Sequence, residues 1–83
     1  MKYKILIIDD EKIVRNSLKR MLSSDEWDVT TSQGISEARE LLSNARYDLV
    51  IVDYKLDDGN GMEIIDYVNE THPEIPTIML TAY

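Results

Sequence analysis

Ile5-Leu6-Ile7-Ile8-Asp9-Asp10 sets four aliphatic side chains in a row and stops them with two carboxylates. A strand with one wet face alternates apolar and polar residues, because successive side chains point to opposite faces. A run that is aliphatic throughout fits a strand buried on both faces, as in parallel sheets covered by helices on each side. Leu49-Val50-Ile51-Val52-Asp53 has the same build and also ends on an aspartate. These two runs predict the central pair of a sheet.

The segments around them supply the rest. Ile13, Val14, Leu18, Met21 and Leu22 fall along one side of a helix, with Arg15, Asn16, Lys19 and Arg20 largely opposite. Asp10 precedes that helix and is a candidate N-cap. Trp27 to Thr31 reads as a shorter strand, and its Asp28, Thr30 and Thr31 suit a sheet edge. Ala38, Leu41, Leu42 and Ala45 keep the spacing of a second helix, with Ser36 as its candidate cap. Asp57-Asp58-Gly59-Asn60-Gly61 reads as a loop on turn chemistry. Met62, Ile64, Ile65 and Val68 predict a third helix, which Pro73 and Pro76 end before a strand over Thr77 to Leu80. His72 reads as a solvated residue at that helix end.

The order β-α-β-α-β-α-β implies a parallel sheet and an α/β fold. With the two aliphatic strands central, the spatial order is 2-1-3-4, a doubly wound arrangement. Right-handed crossovers then put helix one on one face and helices two and three on the other. The chain leaves strand one in one direction and strand three in the other, so a crevice opens at their carboxyl ends, where ligands bind in such sheets. Asp9, Asp10 and Asp53 are thereby expected at one place.

Composition narrows the chemistry. At 83 residues the chain makes one domain at most, with little stability to spare. The absence of cysteine excludes disulfides, thiolate metal sites and a cysteine nucleophile. A net charge of -7 is the wrong sign for binding nucleic-acid phosphates or an anionic membrane surface. No apolar run is long enough to span a bilayer. Met1-Lys2-Tyr3-Lys4 leads into an apolar run without a small-residue cleavage site, so no signal peptide is predicted and the cytoplasm is the expected location.

Three carboxylates brought together raise one another's pKa unless a cation joins them. Mg²⁺ (or Mn²⁺) suits an all-oxygen site of few carboxylates that also takes a phosphate oxygen. A carboxylate can attack phosphorus to give an aspartyl phosphate, and such transfer needs mainly positioning and charge stabilisation. Taken singly, Asp10 can be a helix cap, Asp9 a solvated loop end, Asp53 a polar strand end, Asp57 and Asp58 turn residues, and Thr81 a strand former. Their joint occurrence at the switch point is what favours a cation site.

Together, Ile5 to Glu11, Asp48 to Asp53, Gly59 to Glu63 and Pro76 to Ala82 resemble the receiver domains of two-component response regulators, over the whole chain. The resemblance implies a flavodoxin-like, CheY-like fold and roles residue by residue. Asp53 matches the phosphoacceptor. Asp9 and Asp10 match the acidic pair that, with Asp53 and the backbone carbonyl of Lys55, holds Mg²⁺. Thr81 matches the switch hydroxyl, Ala82 the small residue beside it, and Gly61 the glycine of the loop after strand three. A sensor histidine kinase or phosphotransfer protein is the implied donor. The family usually has proline where this chain has Asp57, which adds charge near the site. Receiver domains continue through a fifth strand, with its lysine, and two more helices. The chain therefore reads as most of a receiver, residues 1–83, with no catalytic lysine of its own. On that reading its fourth strand is an open edge that invites self-association.

Two other families fit less well. An aspartate-nucleophile phosphatase of the haloacid dehalogenase type wants its second aspartate two residues after the first, whereas here the pair is adjacent and Glu11-Lys12 follow. A nucleotide or flavin binder wants a glycine-rich loop after strand one. A receiver-like module that only binds other proteins keeps the same fold and performs no transfer.

Overall fold

The computed structural model describes residues 2–80. In chain order they form β1 (Tyr3–Ile8), α1 (Lys12–Leu22), β2 (Trp27–Ser32), α2 (Ile35–Asn44), β3 (Leu49–Asp53), β4 (Lys55–Leu56), β5 (Gly59–Asn60), α3 (Gly61–Thr71) and β6 (Thr77–Leu80). Four strands make a parallel sheet in the order β2-β1-β3-β6. This is the doubly wound sheet the sequence predicts, with β6 as its fourth strand. The extra pair, β4 and β5, is a small antiparallel hairpin inside the segment after β3. Thr81 and Ala82 lie outside the described residues.

The aliphatic runs are buried on both faces, and their alternation sorts them into two cores. Leu6, Ile8, Val50 and Val52 pack with Ile35, Ala38 and Leu42 of α2 and Ile64 and Val68 of α3. Ile5, Ile7, Val29 and Ile51 face the other way, against Leu18 and Leu22 of α1. Helix one thus lies opposite helices two and three, as the handedness rule requires. Tyr47 and Ile75 also join the larger core, although neither belongs to a periodic run. Across that face the Arg39 guanidinium lies 5.1 Å from the Tyr67 ring centroid, a cation–π contact between α2 and α3.

Several local expectations need correction. Spacing puts Ile13 and Met21 on the apolar side of α1, yet they are 81% and 76% exposed, and α1 buries no residue completely. Its contact stripe is narrower, centred on Val14, Leu18 and Leu22, because the helix meets mainly β1 and β2. Asp10 does not cap α1: the N-cap is Glu11, without a side-chain bond. Ser36 does not cap α2 either, since it lies inside the helix, whose N-cap is Gly34. Ala45 is the C-cap of α2 rather than a helical residue.

At α3 the cap is Asn60. The Asn60 side chain accepts from the Met62 amide at 2.9 Å, and the Glu63 carboxylate accepts from the Asn60 amide at 3.1 Å. This reciprocal capping box fixes where the helix starts.

Ile64→Ala, which empties a fully buried position, is expected to cost about 2–5 kcal/mol. Ile13→Ala is expected to stay within about 0.5 kcal/mol of wild type, as for an exposed substitution. Urea unfolding of both variants checks the contrast, and a large loss at Ile13 contradicts the packing of α1.

Candidate functional site

β1 and β3 are parallel neighbours, with Ile8 opposite Val52. Their carboxyl ends therefore deliver Asp9, Asp10 and Asp53 to the same end of the sheet. One oxygen from each of the three carboxylates lies within 4.8 Å of the others, and this is the one such acidic group found among the described residues. Asp9 and Asp53 are only 4% and 6% exposed, while Asp10 is half-buried at the rim.

Each carboxylate is held differently. The Asp9 amide donates to the Ser32 carbonyl at 3.1 Å, tying the end of β1 to β2. Asp9 Oδ1 accepts from the Glu11 amide at 2.8 Å, so the turn into α1 is closed by Asp9. Helical spacing puts Arg15 largely opposite the apolar side of α1. Its guanidinium reaches back and donates to the Asp9 carbonyl at 2.8 Å, so the residue braces the site. Asp53 Oδ1 is buried and has no hydrogen-bond partner among the described residues. A buried polar atom without a partner is costly, and beside two more carboxylates it matches what a hard cation would satisfy. The residues present therefore fit such an ion.

The segment after Asp53 is anchored at several points. Tyr54 donates its amide to the Leu80 carbonyl at 3.0 Å, and Gly61 donates to the Tyr54 carbonyl at 2.6 Å. A side chain at Gly61 would run into the Asp53 carbonyl and sit 3.2 Å from Val52 Cγ2, so the start of α3 can press on the end of β3 only as glycine. Lys55, exposed, opens the hairpin two residues after Asp53 and pairs with Asn60. Leu56 is buried in the larger core. Asp57 and Asp58 form the hairpin tip, and they are more than turn residues. Asp57 contacts Asp10, which pushes the Asp57 carboxyl above its ordinary range by hydrogen bonding and then by charge. Asp58 accepts from the first amides of α2, which hold its carboxyl below that range. Asp10, Glu37, Glu40, Asp57 and Asp58 together line an open acidic cavity of about 570 Å³ beside the three-carboxylate cluster.

Burial pushes the Asp9 carboxyl up, against the lowering effect of the Glu11 amide, and the charges of Asp53, Asp10 and Glu11 add to the rise. The folded chain therefore holds a proton on Asp9 more tightly than the unfolded chain does. Its stabilising effect is full below the ordinary value of 3.8 and is lost as pH rises through the raised one. Asp9→Asn keeps an acceptor for the Glu11 amide and removes the charge. It is expected to raise the melting temperature of the metal-free chain at neutral pH, with the gain disappearing as pH falls toward 3.8. Melting curves across that range check this, and equal stability at every pH contradicts it.

A family model described as the response regulator receiver domain matches residues 5–83. The response regulator protein PilR of Pseudomonas aeruginosa is 39% identical over 80 residues, which cover 96% of this chain and 18% of PilR. The chain thus spans only a small part of that relative. A receiver domain protein (CheY-like) from Methanospirillum hungatei superposes with a TM-score of 0.95 at 28% identity, covering 100% of this chain and 66% of that one. TrrA from Thermotoga maritima, solved in complex with Mg²⁺-BeF, gives a TM-score of 0.91 at 32% identity, covering 100% and 71%. TrrA has also been solved in complex with the histidine kinase ThkA. By sequence over nearly its whole length and by the fold that gathers its three aspartates, the chain belongs to the response regulator receiver domain family.

Proposed function

We propose that Asp53 accepts a phosphoryl group from the phosphohistidine of a sensor histidine kinase or phosphotransfer protein, and that residues 1–83 form most of the receiver domain of a longer response regulator. The observation that carries this reading is the buried Asp53 Oδ1, without a hydrogen-bond partner among the described residues, beside the carboxylates of Asp9 and Asp10. In the transfer an Asp53 oxygen forms a bond to phosphorus while the phosphorus–nitrogen bond of the donor breaks. The departing imidazole keeps the electron pair and takes up a proton.

Asp9, Asp10 and Asp53, with the Lys55 backbone carbonyl, would hold Mg²⁺ or Mn²⁺. When bound, such an ion supplies charge neutralisation between an anionic acceptor and an anionic donor. Asp9 is preset for this by the Glu11 amide and Asp53 by the abutting start of α3. The Mg²⁺-BeF complex of TrrA and its complex with ThkA support the same assignment here. In this reading Thr81 contacts the phosphoryl group, with Ala82 leaving it room.

The domain is a signalling acceptor rather than an enzyme with a separate substrate, beyond self-catalysed phosphorylation and dephosphorylation. Its place is the cytoplasm. No helix among the described residues is long and apolar enough to cross a membrane, and the net charge of -7 argues against nucleic-acid contact by this segment.

A second reading, an interaction module that self-associates, is favoured by one specific feature. β6 is the outer strand of the described sheet, and Ile78, which by strand alternation shares a face with Leu80, is 48% exposed. Pairing of β6 edges or of these faces would cover it. Sedimentation at rising concentration should then show a dimer, and a monomer throughout removes this reading.

For phosphoacceptance the measurement is intact mass after brief incubation with Mg²⁺ and acetyl phosphate, quenched in acid. A single phosphoryl adduct is expected on the wild-type chain and none on Asp53→Asn. An adduct that persists in the variant, or none on the folded wild type, overturns the assignment for this chain.

A further inference from the structure

We propose that Asp58 is a positioning residue for the acceptor site. By clamping the first turn of α2 it holds the β4–β5 hairpin, and with it Lys55 and Asp57, against the three carboxylates. This inference rests on the reading of that site as a Mg²⁺-dependent phosphoacceptor.

α2 lacks a cap of its own. Its N-cap residue is Gly34, which has no side chain to accept a bond, yet the first amides of a helix need partners. The Ile35 amide donates to Asp58 Oδ1 at 2.9 Å and the Ser36 amide to Oδ2 at 3.1 Å. One carboxylate thus serves two amides, from a position 23 and 22 residues away in sequence. Negative charge is favoured at that end of a helix. Gly34 makes the approach possible, because a Cβ there would lie 2.7 Å from Asp58 Oδ1 and 3.1 Å from its Cγ.

The clamp acts on the site through the hairpin. At the base, Gly61 is bonded to Tyr54, and Lys55 pairs with Asn60. In the middle, Leu56 is buried. At the tip, Asp58 provides the bonds to α2, and its neighbour Asp57 lines the same acidic cavity as Asp10. The carboxylates gathered around that cavity repel one another. An attraction is needed to keep the tip there, and the amides of α2 supply it. The acceptor loop and the start of α2 therefore form one unit, joined by a side chain rather than by sheet pairing.

The test uses this chain as wild type, Asp58→Ala, Asp58→Asn and Gly34→Ala. Mg²⁺ affinity is measured by competition with Mn²⁺ followed by electron paramagnetic resonance. Amide hydrogen exchange is measured without metal and also reports that β1 and β3 remain folded. Asp58→Ala and Gly34→Ala are each expected to weaken Mg²⁺ binding about tenfold, the low end for residues that orient ligands. Asp58→Asn, which keeps an acceptor oxygen, should fall between them and wild type.

Gly34→Ala retains the charge of Asp58 and so separates clamp from charge. Equal losses in the two Asp58 variants, with Gly34→Ala like wild type, mean that Asp58 acts by charge alone and overturn the inference. Unchanged affinity in all three variants overturns it as well. If the wild type binds no Mg²⁺, the acceptor reading fails by itself and exchange decides the coupling. Protection lost at residues 55–61 as well as at Ile35 and Ser36 supports it, whereas loss confined to Ile35 and Ser36 overturns it.

Discussion

The pairing of β1 with β3 governs this molecule. Both strands are aliphatic on both faces, so each must be covered twice, and the coverage comes from α1 on one side and α2 and α3 on the other. That division is possible only if the chain departs from the two strands in opposite directions. The same departure leaves the carboxyl ends of β1 and β3 without a crossover above them. Asp9, Asp10 and Asp53 meet there because they directly follow Ile8 and Val52, the last core residues of the paired strands.

The meeting is electrostatically unfavourable, and the structure shows where the tension is held. Asp9 receives the Glu11 amide and Asp10 remains near solvent, but Asp53 Oδ1 stays buried without a partner among the described residues. A folding unit selected only for stability would place an apolar residue at the end of β3, as at the positions before it. Local disagreement with the rules of burial marks a functional site more often than an error of folding.

Much of this was legible in the sequence. The two aliphatic runs predict the central strands, and the polar character of Trp27 to Thr31 predicts the edge. The three aspartates follow from the strand order. The caps differ from expectation because capping depends on which oxygen reaches which amide, and composition near a helix start does not reveal that. Asp10 and Ser36 sit where caps are common, but Asp58 accepts the first amides of α2 from the hairpin tip. Spacing puts Arg15 opposite the apolar side of α1, but it says nothing of a side chain long enough to turn back to the Asp9 carbonyl. Ile13 and Met21 fit the period of α1, yet the period alone cannot say how wide a stripe the sheet will cover.

Sequence by itself determined the elements, their order, the two-sided burial of the central strands and the convergence of Asp9, Asp10 and Asp53. These follow from hydrophobic periodicity and chain handedness, which are local or topological. Only the tertiary structure decided that the segment after Asp53 is a hairpin, that Gly61 must be bare where α3 meets the Asp53 backbone, and that Asp58 binds α2 through a gap left by Gly34. Those features depend on distances between residues remote in the chain, and such distances exist only once the core has set the helices against the sheet.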